Sequence, residues 1–298
     1  MSSMDARLFE RDEGKMQTML APLKDRVILV TGGGSGIGAG VGEAIVESGG
    51  RVALLGRNHD KLTAVASGFI SAGAQSDTIR CVPADVTDEE QVSSAVAQTA
   101  DWFGRLDGVV HCAGGSETIG PLPQMDSAAW RRTVDLNING SMYLLKHSAP
   151  AMIRSGGGSF VAVSSIASAV THRWFGAYGV SKAGLDHLVQ LAADELGASS
   201  VRVNAIRPGL TRTELVEAVL SSPEISADYR INTPLPRVGE VGDVGSLAVF
   251  LLSDLASWIT GEIINLDGGQ HLRRGPDMSA MFEPIFGAEA LRGVVSAT

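Results

Sequence analysis

The sequence predicts an α/β protein with one parallel β-sheet covered by helices on both faces. Short apolar runs alternate with amphipathic stretches, the pattern of strands buried between helical layers. The first run passes through a glycine-rich loop into the first helical stretch. Far downstream, Tyr178 and Lys182 are spaced to share one face of a helix. Residues 27–30 open the series as Val-Ile-Leu-Val, which suits a strand buried on both sides. Further strand-like runs fall at 52–55, 79–82, 108–111, 159–164, 201–206 and 263–265. Helices are predicted between them at 38–48, 60–71, 88–103, 127–155, 177–196 and 241–252. Asp88, Glu89 and Glu90 bring a cap and negative charge to the start of the third helix. Gly156-Gly157-Gly158 reads as a turn before a strand, not a domain boundary. No internal repeat and no linker rich in Pro, Ser or Gly divides the middle of the chain. The reading is one domain over 23–270, with an N-terminal extension over 1–22 and a C-terminal extension over 271–298.

The loop is Thr31-Gly32-Gly33-Gly34-Ser35-Gly36-Ile37-Gly38. Glycines let a backbone approach a pyrophosphate, and a helix N-terminus offers free N–H groups. The spacing is Gly-x-x-x-Gly-x-Gly, not the common Gly-x-Gly-x-x-Gly. A flexible turn is the alternative, but a strand before and a helix after favour an anion cradle. The Tyr178–Lys182 pair adds chemistry. An ammonium beside a phenol favours the phenolate and lowers its pKa from about 10 toward neutrality. Such a tyrosine can pass a proton to or from an alcohol or carbonyl oxygen.

With these motifs the chain resembles the short-chain dehydrogenase/reductase superfamily. The residues that carry the resemblance are Thr31 to Gly38, Asp85-Val86, Ala113-Gly114, Asn137, Ser165, Tyr178, Lys182, and Pro208-Gly209 with Thr213. The resemblance implies a single-domain, doubly wound fold of the Rossmann type and nicotinamide-dependent hydride transfer. It implies a catalytic set of Asn137, Ser165, Tyr178 and Lys182. Tyr178 would pass the proton, and Ser165, thirteen residues before it, would steady the reacting oxygen. Lys182 would bind the ribose and hold the tyrosine's pKa down, and Asn137 would support a water-linked relay to the lysine. Ser164 would point the other way along its strand. The family pattern selects Asn137 over Asn139. Cofactor contacts are implied for Gly32, Ser35, Gly36, Ile37, Gly38, Asp85, Val86, Ala113, Gly114, Tyr178, Lys182, Pro208 and Gly209. Thr213, with Thr211, would meet the nicotinamide carboxamide.

The end of the second strand bears on cofactor choice. Gly56 stands where an acid would bond the adenosine ribose 2′-OH in NAD-preferring relatives. Arg57 follows and can grip a 2′-phosphate. NADP(H) is therefore favoured, with NAD(H) as the alternative. Ser35 stands where some NADP-using relatives place a basic residue. His111-Cys112-Ala113-Gly114 replaces the family's usual Asn-Asn-Ala-Gly. Ala113-Gly114 still lets the backbone approach a cofactor. His111 and Cys112 are not expected to reproduce both amide hydrogen bonds, and Cys112 is expected to pack as a small thiol.

A pocket cover is predicted over 214–236, including Leu215, Val216, Val219, Leu220, Ile225 and Tyr229. With His172, Arg173, Trp174 and Phe175 it suggests a partly apolar substrate: an oxoacyl thioester, a steroid or a lipid-derived ketone. Arg173 and Arg212 are candidates to meet a substrate anion. The tail carries Met278, Met281, Phe282, Ile285, Phe286, Leu291 and Val294, which need burial on the body or on a neighbouring subunit. Pro276 and Pro284 are expected to break it into short pieces. The family resemblance implies a homo-oligomer, a dimer or homotetramer. An enoyl-thioester C=C reductase and a non-catalytic dinucleotide sensor are the alternative functions. A net charge of −9 argues against general nucleic-acid binding. Two cysteines, Cys81 and Cys112, suggest a reducing, cytoplasmic setting. No metal-ligand spacing, signal peptide or membrane-spanning stretch is found.

Overall fold

The computed structural model describes residues 21–275 and 277–293. Residues 1–20, Pro276 and 294–298 lie outside the described residues. The described residues form seven strands: β1 Val27–Thr31, β2 Arg51–Gly56, β3 Ile79–Pro83, β4 Gly108–His111, β5 Gly158–Val163, β6 Val201–Pro208 and β7 Ile263–Leu266. They form one sheet in the order β3-β2-β1-β4-β5-β6-β7, and every pairing is parallel. Strand β1 sits between β2 and β4, with Val30 level with Leu54 on one side and Val110 on the other. All five β1 side chains are buried, as an unbroken apolar run in a two-sided sheet requires.

The helices are α1 Gly36–Glu47, α2 His59–Ser71, α3 Glu89–Phe103, α4 Ser127–Val134, α5 Gly140–Arg154, α6 Ala177–Leu196, α7 Glu217–Leu220, α8 Pro223–Asn232, α9 Val241–Leu252, α10 Ser279–Phe286 and α11 Ala288–Leu291. Alternate residues of each strand face opposite ways, so the sheet builds two cores. Ile28, Val30 and Leu54 meet Val41 and Ile45 of α1, Leu62 and Phe69 of α2, and Val244 and Leu252 of α9. Leu29, Leu55 and Phe160 meet Val92 and Val96 of α3, Leu144 of α5, and Leu185 and Val189 of α6. The chain reverses its winding between β1 and β4, which leaves a crevice at their carboxyl ends.

Local chemistry sets several helix starts. Asn58 and Asp88 each accept a backbone N–H from the first turn of α2 and α3. Glu240 and Asp243 cap α9 reciprocally. The helix expected over 127–155 is interrupted by a π turn, Asp135–Asn139. Its apolar periodicity continues across the turn, which explains why the sequence reads as one helix.

Two segments gain structure that periodicity did not show. The expected pocket cover contains α7 and α8. The tail forms α10 and α11, separated at Gly287, where φ is +80°. Pro284 lies inside α10 and does not break it. The tail is instead divided where glycine accepts a left-handed backbone. Met278, Phe282 and Leu291 are buried with Ile225 and Tyr229, against Trp174, Phe175 and Leu210. Phe282 meets the Trp174 ring edge-on at 5.9 Å. Emptying such a site costs about 3–5 kcal/mol. Phe282→Ala should therefore lose about 3 kcal/mol of stability, read from the urea midpoint at unchanged slope. A loss within error would show that the tail adds nothing to the fold.

Candidate active site

The sequence-predicted residues gather at the carboxyl edge of the sheet. The loop from Thr31 turns tightly into α1, and Gly33 N–H bonds Leu55 O at 3.0 Å. A Cβ on Gly38 would lie 2.2 Å from Gly32 O, so only glycine lets the helix begin so close to the strand. Ser35 precedes α1 in an extended conformation, and its side chain does not cap the helix. The first turn of α1 keeps backbone N–H groups for a ligand.

Thr31 and His111 tie the two central strands together. Thr31 Oγ1 and His111 Nδ1 are 2.8 Å apart, and Ala113 N–H donates to the same oxygen at 3.1 Å. The His111 imidazole thus supplies one cross-strand link. Burial pushes its pKa down to about 3, with the Lys182 charge acting the same way, so the ring is neutral. Its Nε2 is buried and has no partner among the described residues. Cys112 packs as expected, and burial pushes its thiol up to about 12.

Ser165, Tyr178 and Lys182 converge beside this floor. Ser165 ends the extended run after β5, and its Oγ accepts Ala167 N–H at 3.1 Å. Thr118 accepts Ala177 N–H at 2.9 Å and so fixes the start of α6 ahead of Tyr178. Lys182 is buried, and its Nζ donates to Val163 O at 2.8 Å. That Nζ lies 6.0 Å from the centre of the Tyr178 ring. Burial lowers the lysine's pKa to about 8, opposed by the charge of Asp186. Burial also raises the Tyr178 phenol above its usual value, and a hydrogen bond with Ser165 lowers it. The expected drop toward neutrality is thus not met in the protein alone, because desolvation of the phenol outweighs its hydrogen bond with Ser165. Ser164 turns away and donates to Lys182 O.

Asn137 sits in the π turn, fully buried. Its amide donates to Gly115 O and Ser181 Oγ, each at 2.8 Å, and its Oδ1 accepts Gly115 N–H at 3.0 Å. The side chain is committed to the loop after β4 and to α6. A relay at this position must use the backbone that Asn137 shapes. A Cβ on Gly114 would lie 2.8 Å from Lys182 Nζ and 3.0 Å from Asn137 Oδ1, so both groups press on that glycine.

The remaining positions ring the crevice. Arg57 is exposed just beyond β2. Asp85 turns back on Thr87, accepting its N–H and hydroxyl. Val86 is buried against the start of α5. Pro208 and Gly209 end β6 beside Asp267. Thr213 lies against Gly36, close to the start of α1. Thr211 is buried and donates to Gly209 O at 3.1 Å, which spends its hydroxyl within the loop. The arginines considered for an anion are engaged. Arg173 bonds Leu291 O and stacks on Trp174 at 4.3 Å, and Arg212 pairs with Glu240.

Sequence reasoning missed the ion pair between Asp186 and Arg207. It joins α6 to β6, and no local pattern announces it. A cavity of about 100 Å³ behind Tyr229 is lined by Leu210, Thr211, Thr233 and Gly268 and contains none of Ser165, Tyr178 or Lys182.

The chain is similar over most of its length to known proteins. A family model described as enoyl-(acyl carrier protein) reductase matches residues 32–271. A cis-4-hydroxycyclohexanecarboxylate dehydrogenase from Sinomonas cyclohexanicum is 36% identical over 245 residues, covering 82% of this chain and 96% of the relative. A short-chain type dehydrogenase/reductase from Mycobacterium ulcerans superposes with TM-score 0.90 at 62% identity, covering 92% of this chain and 99% of that one. A 7α-hydroxysteroid dehydrogenase complexed with NADH and 7-oxo glycochenodeoxycholic acid superposes with TM-score 0.79 at 31% identity, covering 84% and 96%.

The buried neutral His111 makes stability depend on pH. Below about 6.5 the unfolded chain binds a proton at this histidine, whereas the folded chain resists it down to about 3. Stability should fall as pH drops through that window, by about 1.4 kcal/mol per unit for one proton. His111→Asn removes this contribution and should flatten the acid limb by that slope. Urea titrations at several pH values give the comparison. Parallel slopes for the two proteins would show that His111 is not held neutral.

Proposed function

The chain belongs to the short-chain dehydrogenase/reductase family, and we propose that it interconverts an apolar ring ketone and its secondary alcohol with NADP(H). It is an NAD(P)-dependent oxidoreductase acting on alcohol and carbonyl groups. The residues present fit a dinucleotide. The glycine turn and the uncapped start of α1 suit a pyrophosphate. Gly114 leaves room for close approach above Lys182. Gly56 followed by exposed Arg57 supports the phosphorylated cofactor. A bound nicotinamide supplies or accepts the hydride.

The protein's part is position and proton transfer. Ser165 accepts Ala167 N–H and bonds the Tyr178 hydroxyl, and its own hydrogen can turn from the phenol to a substrate oxygen. Tyr178 is kept protonated by burial, the state that reduction needs in a proton donor. Lys182 sits one turn further along α6, with its charge directed under Gly114. Asn137 holds the loop after β4 in place. In this reading reduction is the direction favoured near neutral pH.

One observation carries the substrate class. The wall beside Tyr178 is aromatic and apolar. Phe175 meets the Tyr178 ring edge-on at 6.5 Å and packs with Trp174, Tyr229, Met278 and Phe282. The relatives named for a hydroxycyclohexane carboxylate and a hydroxysteroid act on ring alcohols. Enoyl-thioester reduction is the second reading, favoured by the family model's description, while the Ser165–Tyr178 hydrogen bond favours a carbonyl oxygen. Two free cysteines suit a reducing cytosol. The almost fully exposed Trp258, on the loop leading into edge strand β7, supports self-association.

NADPH oxidation measured over cyclic ketones, steroids and enoyl thioesters tests the reading. Turnover confined to enoyl thioesters would refute it. On the best ketone, Tyr178→Phe should lower kcat by about 10²–10⁴ with cofactor affinity kept. A variant retaining half the turnover would remove Tyr178 from the role. Arg57→Ala should weaken NADPH by about ten- to a hundredfold and NADH little. Equal losses by calorimetry would overturn the NADP(H) preference.

A further inference from the structure

Asp186 and Arg207 form an ion pair in the interior, next to the catalytic helix face and outside the reaction crevice. Arg207 donates through Nε at 2.9 Å and Nη2 at 2.7 Å, both to Oδ2 of Asp186. The Asp186 side chain is only 7% exposed. Its Oδ1 is buried and has no partner among the described residues. A pair built only to join α6 to β6 would gain from using both oxygens, as a guanidinium fork allows. An apolar pair of similar volume would also join two elements without the cost of desolvation. This pair instead keeps a carboxylate one helical turn from Lys182, where i,i+4 side chains are neighbours.

We propose that Asp186, held and partly neutralised by Arg207, is a positioning residue that sets the electrostatic environment of Lys182 and so keeps its ammonium charged beside Tyr178. This rests on the roles proposed above for Lys182 and Tyr178. The other groups around the ammonium cannot take that part. From its own helix Tyr178 presents a phenol. From the end of β4 come His111, neutral above about 3, and Cys112, a thiol up to about 12. The π turn offers the Asn137 amide, and β5 offers the Val163 carbonyl. Asp186 is the carboxylate whose charge acts on the lysine, against a burial that lowers it to about 8. Arg207 faces this group only through Asp186. The pair works as an adjustable counter-charge: a free aspartate would hold Lys182 more strongly, and no aspartate would let it discharge.

The two partners therefore carry opposite signs. Removing the Asp186 charge should let Lys182 lose its proton at lower pH. Removing Arg207 should leave Asp186 unopposed and delay that loss. The pH profile of kcat in the reductive direction reads both. Asp186→Asn should move the alkaline limb down by about one pH unit. Arg207→Gln should move it up, and Arg207→Lys, which keeps the charge, should leave it near the wild-type position. A merely structural pair predicts lower melting temperatures and a kcat reduced alike at every pH. Profiles of both variants that superimpose on the wild type after scaling, or that shift in the same direction, would overturn the proposal. If Asp186→Asn does not fold, the upward shift in Arg207→Gln decides alone. Tyr178→Phe is assayed beside them. If it is inactive while the limbs do not move, the pair's role fails and the catalytic reading stands. If it stays active, the catalytic reading fails and this proposal falls with it.

Discussion

A lysine ammonium held inside the protein is the constraint on which the rest of the site depends. A charge removed from water is tolerated only when nearby dipoles or counter-charges replace what hydration supplied. Lys182 obtains that replacement from two directions. Val163 O at the end of β5 accepts its hydrogen bond, and Asp186 supplies negative charge. Each demand fixes another part of the fold. Strand β5 must end where its carbonyl reaches the ammonium. Position 114 must be glycine, because Lys182 and Asn137 already occupy the space a side chain would need. Asn137 must be locked by Gly115 and Ser181, and a π turn brings it to that depth.

The parallel sheet makes this arrangement possible. Every strand delivers its carboxyl end to one edge, so residues far apart in sequence meet without long loops. Thr31 and His111 show how the edge is tensioned. One hydroxyl gathers an imidazole and a backbone N–H, aligning the glycine turn with the loop after β4. The ring does this while uncharged, which suits a place next to an ammonium better than a protonated histidine would.

Much of this was legible in the sequence, for a physical reason. The strands read from unbroken apolar runs because both sheet faces are buried. The glycine loop and the Tyr178–Lys182 pair read from spacing because their geometry is local. Ser165 and Asn137 were placed by their order relative to those landmarks. Contacts between distant residues left no such trace. The Thr31–His111 bond and the Asp186–Arg207 pair join separate elements, and neither side of either contact implies its partner. The π turn was hidden because it preserves the apolar periodicity of the helices around it. The tail's division fell at Gly287 and not at Pro284, because the positive φ at Gly287 turns the chain where other residues would be strained.

The aromatic wall stands apart from all of this. Trp174 and Phe175 come from the approach to α6, Tyr229 from α8, and Met278 and Phe282 from the tail. None of these residues belongs to the sheet, and their cluster is separate from both of its cores. The crevice around the buried lysine and the aromatic wall beside Tyr178 are thus built from different parts of the chain. Such a division favours evolvability. Substitutions can accumulate in the wall and reshape the surface beside the crevice, while the sheet, the glycine turn and the buried lysine stay unchanged.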